Sequence, residues 1–216
     1  MSSRSVFARR IVQLLVGVFA YGIAIALMIR ASVGVSPWDV LSQGLNIQTG
    51  VPFGVITIVV GLALLLIWIP LRQKPGIGTV LNALLVGPSA EVGFLILPTP
   101  ESLWARIPMF ALGLALLAVA TGLYIGARFG PGPRDGLMTG LHRRTGWPIW
   151  VVRTGIEVTV LTIGWILGGN VGIGTVAFAL LIGPMVGRTL PFFHVPEAPK
   201  PDTGVIELIA ETPRAS

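Results

Sequence analysis

The chain has 216 residues, of which 53% are hydrophobic and only 11% are charged. A soluble domain usually carries about 25% charged residues, so this composition, with a mean hydropathy of +0.84, excludes an ordinary water-soluble globule and predicts the lipid bilayer as solvent. The formal charge is +6, but the basic residues lie at the ends of apolar stretches, which argues against nucleic acid as a partner. The chain has no cysteine, so neither a disulfide nor a thiolate metal site can form.

Six apolar stretches are long enough to cross a hydrocarbon core as helix, which takes roughly 20 residues. The first follows Arg4, Arg9 and Arg10, as a signal peptide would, but its apolar core is longer than a typical signal segment and no clear A-x-A site follows. We therefore expect a retained first helix and an all-α, multi-pass membrane protein. The predicted spans are 11–30, 53–71, 77–97, 107–127, 148–168 and 172–193.

The distribution of Lys and Arg predicts the orientation, because cytoplasmic segments are enriched in both. With the N-terminus inside, the outer loops receive only Arg30 and Arg106. Both termini are thus expected in the cytoplasm of a cell (plasma) membrane protein, and residues 195–216, with four prolines, are expected to form a flexible cytoplasmic tail after a transmembrane domain of residues 1–194. The basic residues assigned to the inner side are Arg4, Arg9, Arg10, Arg72, Lys74, Arg128, Arg134, Arg143, Arg144, Lys200 and Arg214.

An internal repeat runs through the chain at a constant offset of 96 residues. The segment GVSPWDVLSQGL at 34–45 returns as GPGPRDGLMTGL at 130–141, and residues 27–97 match 123–193 at 26 of 71 positions. Each repeat, about 10–97 and about 106–193, holds three spans. Because an odd number of crossings reverses direction, we expect two inverted three-helix repeats, an arrangement typical of secondary transporters. A duplication that only built a stable bundle is the alternative.

The pattern G-x-x-P-W-D-V-L…T-G…G-x-G-T…G-P between Gly34 and Pro88 resembles the YczE/YyaS/YitT family of bacterial integral membrane proteins. The resemblance covers nearly all of residues 10–193. It implies a polytopic membrane protein, often regarded as a candidate transporter, without a settled substrate, and it carries over no catalytic residue.

The two Pro-x-Asp turns have the spacing of helix starts. Ser36 is placed as N-cap, Pro37 at the first helical position, and Asp39 where it complements free amides; the second turn repeats this up to Asp135. Each following helix is expected to end after about nine residues, near Gly44 or Gly140, too short to span, so it either lies on the surface or is re-entrant. Asp39 and Asp135 are either simple caps or the outer and inner mouths of one pathway.

Helix-break candidates lie at equivalent places in two spans, at Gly87 and Pro88 and at Gly183 and Pro184. A proline removes an amide and clashes with the carbonyl four residues earlier. Paired interruptions in corresponding spans point to a binding site in inverted-repeat transporters. Proline kinks that only shape the packing are the alternative.

Four further polar residues lie at membrane depth, where ionisable groups are costly and suggest function. Glu157 lies near the centre of its span, and Arg153, four residues earlier, lies on the same face, so the two also fit a structural ion pair. Glu91 is expected toward the outer side and Asn82 toward the inner side. We expect a ligand between the kinked third and sixth spans, near Glu157 and Glu91.

These features predict a small secondary transporter or permease of an unknown small-molecule or ion substrate. The alternative is a non-transporting scaffold of a membrane complex, docking through Gly122-x-x-x-Gly126 or Gly164-x-x-x-Gly168. No enzyme is expected, since no catalytic motif appears, and no cofactor. The histidines are expected at the interface rather than as metal ligands, and the basic cluster of Arg134, His142, Arg143 and Arg144 is expected to meet anionic lipid head groups at the inner face. A homo-oligomer remains open.

Overall fold

The computed structural model describes residues 3–195, which form eight α-helices and no strand. The predicted tail of 195–216 lies outside the described residues except for Val195, whose N–H donates to the Gly126 carbonyl at 3.2 Å. The helices are α1 Ser3–Ala31, α2 Pro37–Thr49, α3 Phe53–Trp68, α4 Ile77–Ile96, α5 Leu103–Gly126, α6 Pro133–Thr145, α7 Ile149–Ile166 and α8 Ile173–Phe193.

Five helices, α1, α4, α5, α7 and α8, are long and apolar enough to cross a membrane. Helix α3 has only 16 residues; together with α2 it makes a pair bent by 119° that counts as a sixth candidate span. The predicted all-helical membrane architecture is therefore confirmed, with five to six spanning helices among the described residues.

The predicted ends of the two short helices were wrong. Both α2 and α6 have 13 residues and continue through Gly44 and Gly140. Gly44 serves packing instead, because a Cβ there would lie 2.6 Å from the carbonyl oxygen of Gly164 on α7. The helices end at Gly50 and Gly146, with φ of +70° and +73°, where glycine accepts the left-handed conformation at low cost.

Helix α1 lies at the centre of the bundle, packed along α5 on one side and α4 on the other. A Cβ on Gly17 would lie 2.8 Å from the Tyr124 nitrogen of α5, and one on Gly22 would overlap Ser89 of α4. Small residues that bring helix backbones together are the usual source of association in lipid. In the N-terminal part of α1, the amide of Gln13 donates to the carbonyls of Leu123 and Phe193, which ties α1 to α5 and α8.

Backbone geometry repeats at the offset of 96, and residues separated by 96 are called equivalent below. The Gly78 N–H donates to the Phe129 carbonyl at 2.9 Å, and its equivalent, the Gly174 N–H, donates to the Val33 carbonyl at 2.7 Å. Within residues 3–195 the positive-φ residues also form equivalent pairs: Ser32 and Arg128, Gly34 and Gly130, Gly50 and Gly146, Arg72 and Gly168.

Most of the helix packing repeats as well. Helices α1 and α4 pack together as α5 and α8 do, and α2 packs on α7 as α6 packs on α3. However, α3 packs closely along α4, whereas no comparable packing joins α7 to α8. In the first pair, a Cβ on Gly87 would overlap the Gly54 carbonyl, while the equivalent Gly183 has nothing within 4 Å. Trp150 replaces Gly54 on α7, so the bulkier residue stands where the closed pair needs a glycine.

The contact between α3 and α6 and its equivalent between α7 and α2 each join a glycine to a larger residue, but the larger residue lies on α3 in one and on α2 in the other. Trp68 of α3 is buried against Gly136 of α6, where any Cβ would overlap its ring. At the equivalent contact, Gly164 of α7 lies against Val40 and Leu41 of α2, with its Cβ position 2.6 Å from the Val40 carbonyl carbon. In both contacts the large residue belongs to the first repeat and the glycine to the second.

Candidate functional site

The starts of α2 and α6 meet inside the protein. The predicted cap of α2 is confirmed: the Asp39 N–H donates to the Ser36 hydroxyl oxygen at 3.3 Å, and that hydroxyl donates to the Asp39 carboxylate at 2.5 Å. Asp39 is only 1% exposed. Its second carboxylate oxygen lies 3.6 Å from the guanidinium of Arg134 at the start of α6. The start of α2 in the first repeat is therefore ion-paired to the start of α6 in the second.

Arg134 was expected beside lipid head groups, and this prediction was wrong. Its guanidinium lies 5.3 Å from the ring centre of Trp38 as well as against Asp39. Trp38 and Arg134 are equivalent residues, so their contact marks the place where the two repeats meet face to face. The segment before α6 turns back into the protein, which carries Arg134 away from the surface where a loop residue would lie.

Asp135 has surroundings unlike those of Asp39. It is exposed rather than buried, and it accepts a hydrogen bond from the Tyr124 hydroxyl at 2.9 Å. Among the described residues, no basic side chain lies within ion-pair distance of Asp135. The two aspartates, equivalent in sequence, thus differ in both burial and partner.

The predicted ion pair on α7 is present. Arg153 donates through Nε to the Glu157 carboxylate at 3.0 Å, one helical turn apart. The two side chains are 50% and 22% exposed, so the pair lies on an open face of α7.

A cavity of about 390 Å³ lies between these groups. Six helices contribute to its wall: α1, α2, α5, α6, α7 and α8. Gly183 belongs to this wall, so one member of the predicted helix-break pairs faces the cavity. The polar lining consists of Ser36, Thr121, Arg134, Asp135, Arg153 and Glu157, and the aromatic lining of Tyr21, Trp38, Tyr124 and Phe178.

A second cavity, of about 60 Å³, shares part of this wall: both cavities are lined by Tyr21, Tyr124, Arg134 and Asp135. Much of the remaining lining is equivalent between the two. The first-named residue of each following pair lines the small cavity and the second the large one: Thr57 and Arg153, Gly61 and Glu157, Asn82 and Phe178, Val86 and Ile182, Gly132 and Ser36, Pro133 and Pro37. One repeated architecture therefore contains two equivalent cavities, one of about 390 Å³ and one of about 60 Å³.

Glu91 does not join Glu157, which corrects the prediction that both flank one ligand. Its carboxylate accepts the Gly54 N–H at 2.7 Å, where it caps the free amides at the start of α3. It lines a separate cavity of about 540 Å³ together with Arg30. Asn82, in contrast, lines the small central cavity.

The prolines do not interrupt their helices. Helices α4 and α8 continue through Pro88 and Pro184, since a single proline removes one hydrogen bond and neighbouring packing holds the rest. Gly87 is packed against α3, and both prolines are exposed. Only Gly183 of the four predicted residues lines the central cavity.

Sequence reasoning missed Tyr21, Trp38 and Tyr124. Tyrosine is rare here, with 2 residues in the chain, and both rings meet edge to face at 5.9 Å between ring centres. A buried tyrosine needs a partner for its hydroxyl, which could have directed attention to a nearby carboxylate.

Comparison with known proteins gives the family. Residues 8–191 match the model of a family of unknown function, DUF6198. An uncharacterized protein of Haemophilus influenzae is 39% identical over 165 residues, which is 76% of each chain. The uncharacterized membrane protein YczE of Bacillus subtilis is 35% identical over 176 residues, or 81% of each chain, and YyaS of the same organism is 27% identical over 82% of this chain and 90% of YyaS. No solved structure matches.

The matched range contains all eight helices except the first and last few residues, and with them both Pro-x-Asp turns and the central cavities. Its membrane-spanning helices agree with the description of YczE as a membrane protein. The chain is an integral membrane protein of the DUF6198 family, and YczE and YyaS are among its relatives.

Proposed function

We propose that the protein is a small secondary transporter, built from two inverted repeats, that carries a solute through its central cavities by alternating access. The observation that supports this most directly is the pair of equivalent cavities, about 390 and 60 Å³, on the two sides of one charged cluster. Exchange of the two arrangements would open the small cavity and close the large one, as inverted-repeat transporters do.

Inversion is supported by reciprocal contacts. In a twofold arrangement, if residue i contacts residue j of the other half, then the equivalent of i contacts the equivalent of j. The bonds of Gly78 to Phe129 and of Gly174 to Val33 obey this relation. Because each repeat crosses the bilayer an odd number of times, an axis relating them lies in the membrane plane.

The short helices fit a re-entrant role. The turn before α2 and the turn before α6 meet at the contact between Trp38 and Arg134, in the interior of the bundle. Non-helical backbone at membrane depth is tolerated where protein covers it or where it lines a cavity. The bend of 119° between α2 and α3 then returns the chain toward the opposite side.

In the orientation with cytoplasmic termini, the large cavity opens toward the inner half of the bilayer. Arg153 lies near the inner end of α7, and Gly187 lies in the inner half of α8. We assign Asp135 and the pair of Arg153 and Glu157 to contact the solute. The buried pair of Asp39 and Arg134 closes the outer side in this state.

The scaffold alternative has less support, because the glycine faces proposed for docking are used inside the protein. A Cβ on Gly122 would lie 3.0 Å from the Thr189 hydroxyl of α8, and Cβ atoms on Gly126 and Gly164 would overlap Phe193 and Leu41. In this set only Gly168, whose nearest neighbour is Ile47 at 3.7 Å, has room.

Paired cysteines in this cysteine-free chain test the alternation. The closed pair is Gly61→Cys with Ala83→Cys, because a Cβ on Gly61 lies 3.2 Å from the Ala83 Cβ, close to the Cβ separation of a disulfide. The equivalent open pair is Glu157→Cys with Ala179→Cys. Both pairs are oxidised in native membranes, and cross-linking is followed by the mobility of a fragment cut between the cysteines.

Alternating access predicts that both pairs form disulfides, the open pair more slowly, and that locking either pair prevents the other in a four-cysteine variant. If only the closed pair cross-links, however long the oxidation, the two helices α7 and α8 do not close. The transporter proposal would then be abandoned in favour of a static membrane protein.

A further inference from the structure

The side chains around the two central cavities include one more acid than bases. The acids are Asp39, Asp135 and Glu157, and the bases are Arg134 and Arg153. Each arginine already has an acid of its own, Asp39 at 3.6 Å and Glu157 at 3.0 Å. The carboxylate that remains is that of Asp135, which receives only the Tyr124 hydroxyl.

Helix dipoles supply only part of the counter-charge at Asp135. Asp135 lies in the first turn of α6, where the helix end contributes roughly half a positive charge, and the start of α2 directs a similar partial charge toward Asp39. Asp135 is exposed to the cavity and, within residues 3–195, has no basic partner, so a cation in the cavity can pair with it without displacing an arginine.

The wall of the cavity selects an organic cation over a metal ion. Among the described residues, no group of three acids or histidines lies close enough together to hold a metal. Aromatic side chains share the lining with the carboxylate instead: Tyr124 donates to Asp135 and meets Tyr21 edge to face, Phe178 lies on the same lining, and Trp38 already has Arg134 over its ring. Ring faces attract ammonium groups, and their apolar surface accommodates a hydrocarbon part.

We propose that the central cavity binds a small organic cation, whose ammonium group pairs with Asp135 and whose apolar part lies against the aromatic lining near Phe178. This assignment rests on the proposed transport function, since it names the class of solute for the same cavity. The volume of about 390 Å³ is within the range of small-molecule sites.

A single cysteine placed in the cavity measures both its access and its charge. Gly183→Cys is suited to this, because Gly183 lines the cavity and has nothing within 4 Å of its Cβ position. The purified variant is labelled with a cationic methanethiosulfonate, the trimethylammonium-ethyl reagent, and with an anionic one, the sulfonato-ethyl reagent. The control is Ser102→Cys, an exposed position before α5, which corrects for the intrinsic rates of the two reagents.

We expect the ratio of cationic to anionic labelling rates to be roughly tenfold higher at Gly183→Cys than at Ser102→Cys, as one unscreened charge at short range implies. Adding Asp135→Asn should return most of this ratio to the control value. Benzyltrimethylammonium should slow labelling of Gly183→Cys, whereas benzyl alcohol and benzoate of similar size should not. This protection assay needs no Asp135 variant, so it tests the cation assignment even if Asp135→Asn does not fold.

The outcomes separate the two proposals. A ratio equal to the control or favouring the anionic reagent, or protection by benzoate, would overturn the cation assignment while leaving the alternating cavities intact. If neither reagent reacts at Gly183→Cys while Ser102→Cys reacts normally, the water-accessible cavity itself is absent. In that case the transport proposal and the cation assignment both fail.

Discussion

Asp39 and Asp135 occupy the same position of the two repeats, but they have different surroundings. Asp39 is 1% exposed and paired with Arg134, whereas Asp135 is open to the cavities and bonded to Tyr124. Both aspartates lie in the first turn of their helices, but only Asp39 takes part in a side-chain cap, with Ser36. The equivalence seen in sequence carries over to the backbone, but it does not extend to the charge environment.

Replacing the two aspartates should therefore have unequal effects on stability. Asp39→Asn removes the acid partner of Arg134 and should cost about 3 kcal/mol of unfolding free energy, as breaking a buried pair does. Asp135→Asn should cost about 0.5 kcal/mol, as substitutions away from buried networks do. Thermal unfolding in detergent measures both.

Combining Asp39→Asn with Arg134→Met serves as the control, since it removes the unpaired guanidinium and should recover part of the loss. Equal destabilisation by Asp39→Asn and Asp135→Asn would contradict the pairing described here.

At the scale of elements, the seam between α3 and α4 differs from its equivalent between α7 and α8. Gly54 and Gly87 let the first two helices touch backbone to backbone. The equivalent places hold Trp150 and Gly183, and α7 and α8 do not pack along each other. The closely packed α3 and α4 border the small cavity, and the separated α7 and α8 border the large one.

Equivalent glycine substitutions should separate these seams. Gly87→Ala would force a methyl group into the Gly54 carbonyl and should destabilise the protein by about 1–3 kcal/mol. Gly183→Ala meets nothing within 4 Å and should be neutral or slightly stabilising, since alanine is the better helix former. Comparable shifts of the unfolding temperature for both variants would refute a closed α3–α4 seam.

The sequence predicted elements better than it predicted their meeting points. The spans, the cap at Ser36 and the repeat were predictable because apolar length, turn chemistry and a fixed offset are local signals. The contact of Arg134 with Asp39 joins residues 95 apart in number, and no local pattern specifies it. Glu91 was misplaced for the same reason, because its partner Gly54 lies on another helix.

At the scale of the whole molecule, the two halves of the bundle differ most clearly in α7, which does not pack along α8 as α3 packs along α4. Trp150 and Glu157 stand where α3 has Gly54 and Gly61, and under the proposed alternation we expect these two residues to hold α7 and α8 apart. Converting α7 toward α3, by Trp150→Gly with Glu157→Gly, should let α8 approach and favour the opposite state. We expect labelling of Gly183→Cys to slow several-fold, since closure hides the cavity.

Val158→Gly with Trp165→Gly is the matched control, because it adds the same helix cost, about 1 kcal/mol per glycine, at outward-facing positions of α7 that are 54% and 65% exposed. If this control slows labelling as much as the double change at the seam, the effect comes from helix weakening and the explanation of the asymmetry is wrong.

The contact of Trp68 with Gly136 has a further consequence for ancestry. Its counterpart pairs Val40 with Gly164, so the first half supplies the larger residue at both junctions and the second half supplies the glycine. Two copies of the first half would place Trp68 beside position 40, a valine, at both junctions, and two copies of the second would place two glycines there. We therefore expect that neither half, paired with a copy of itself, would reproduce the present packing.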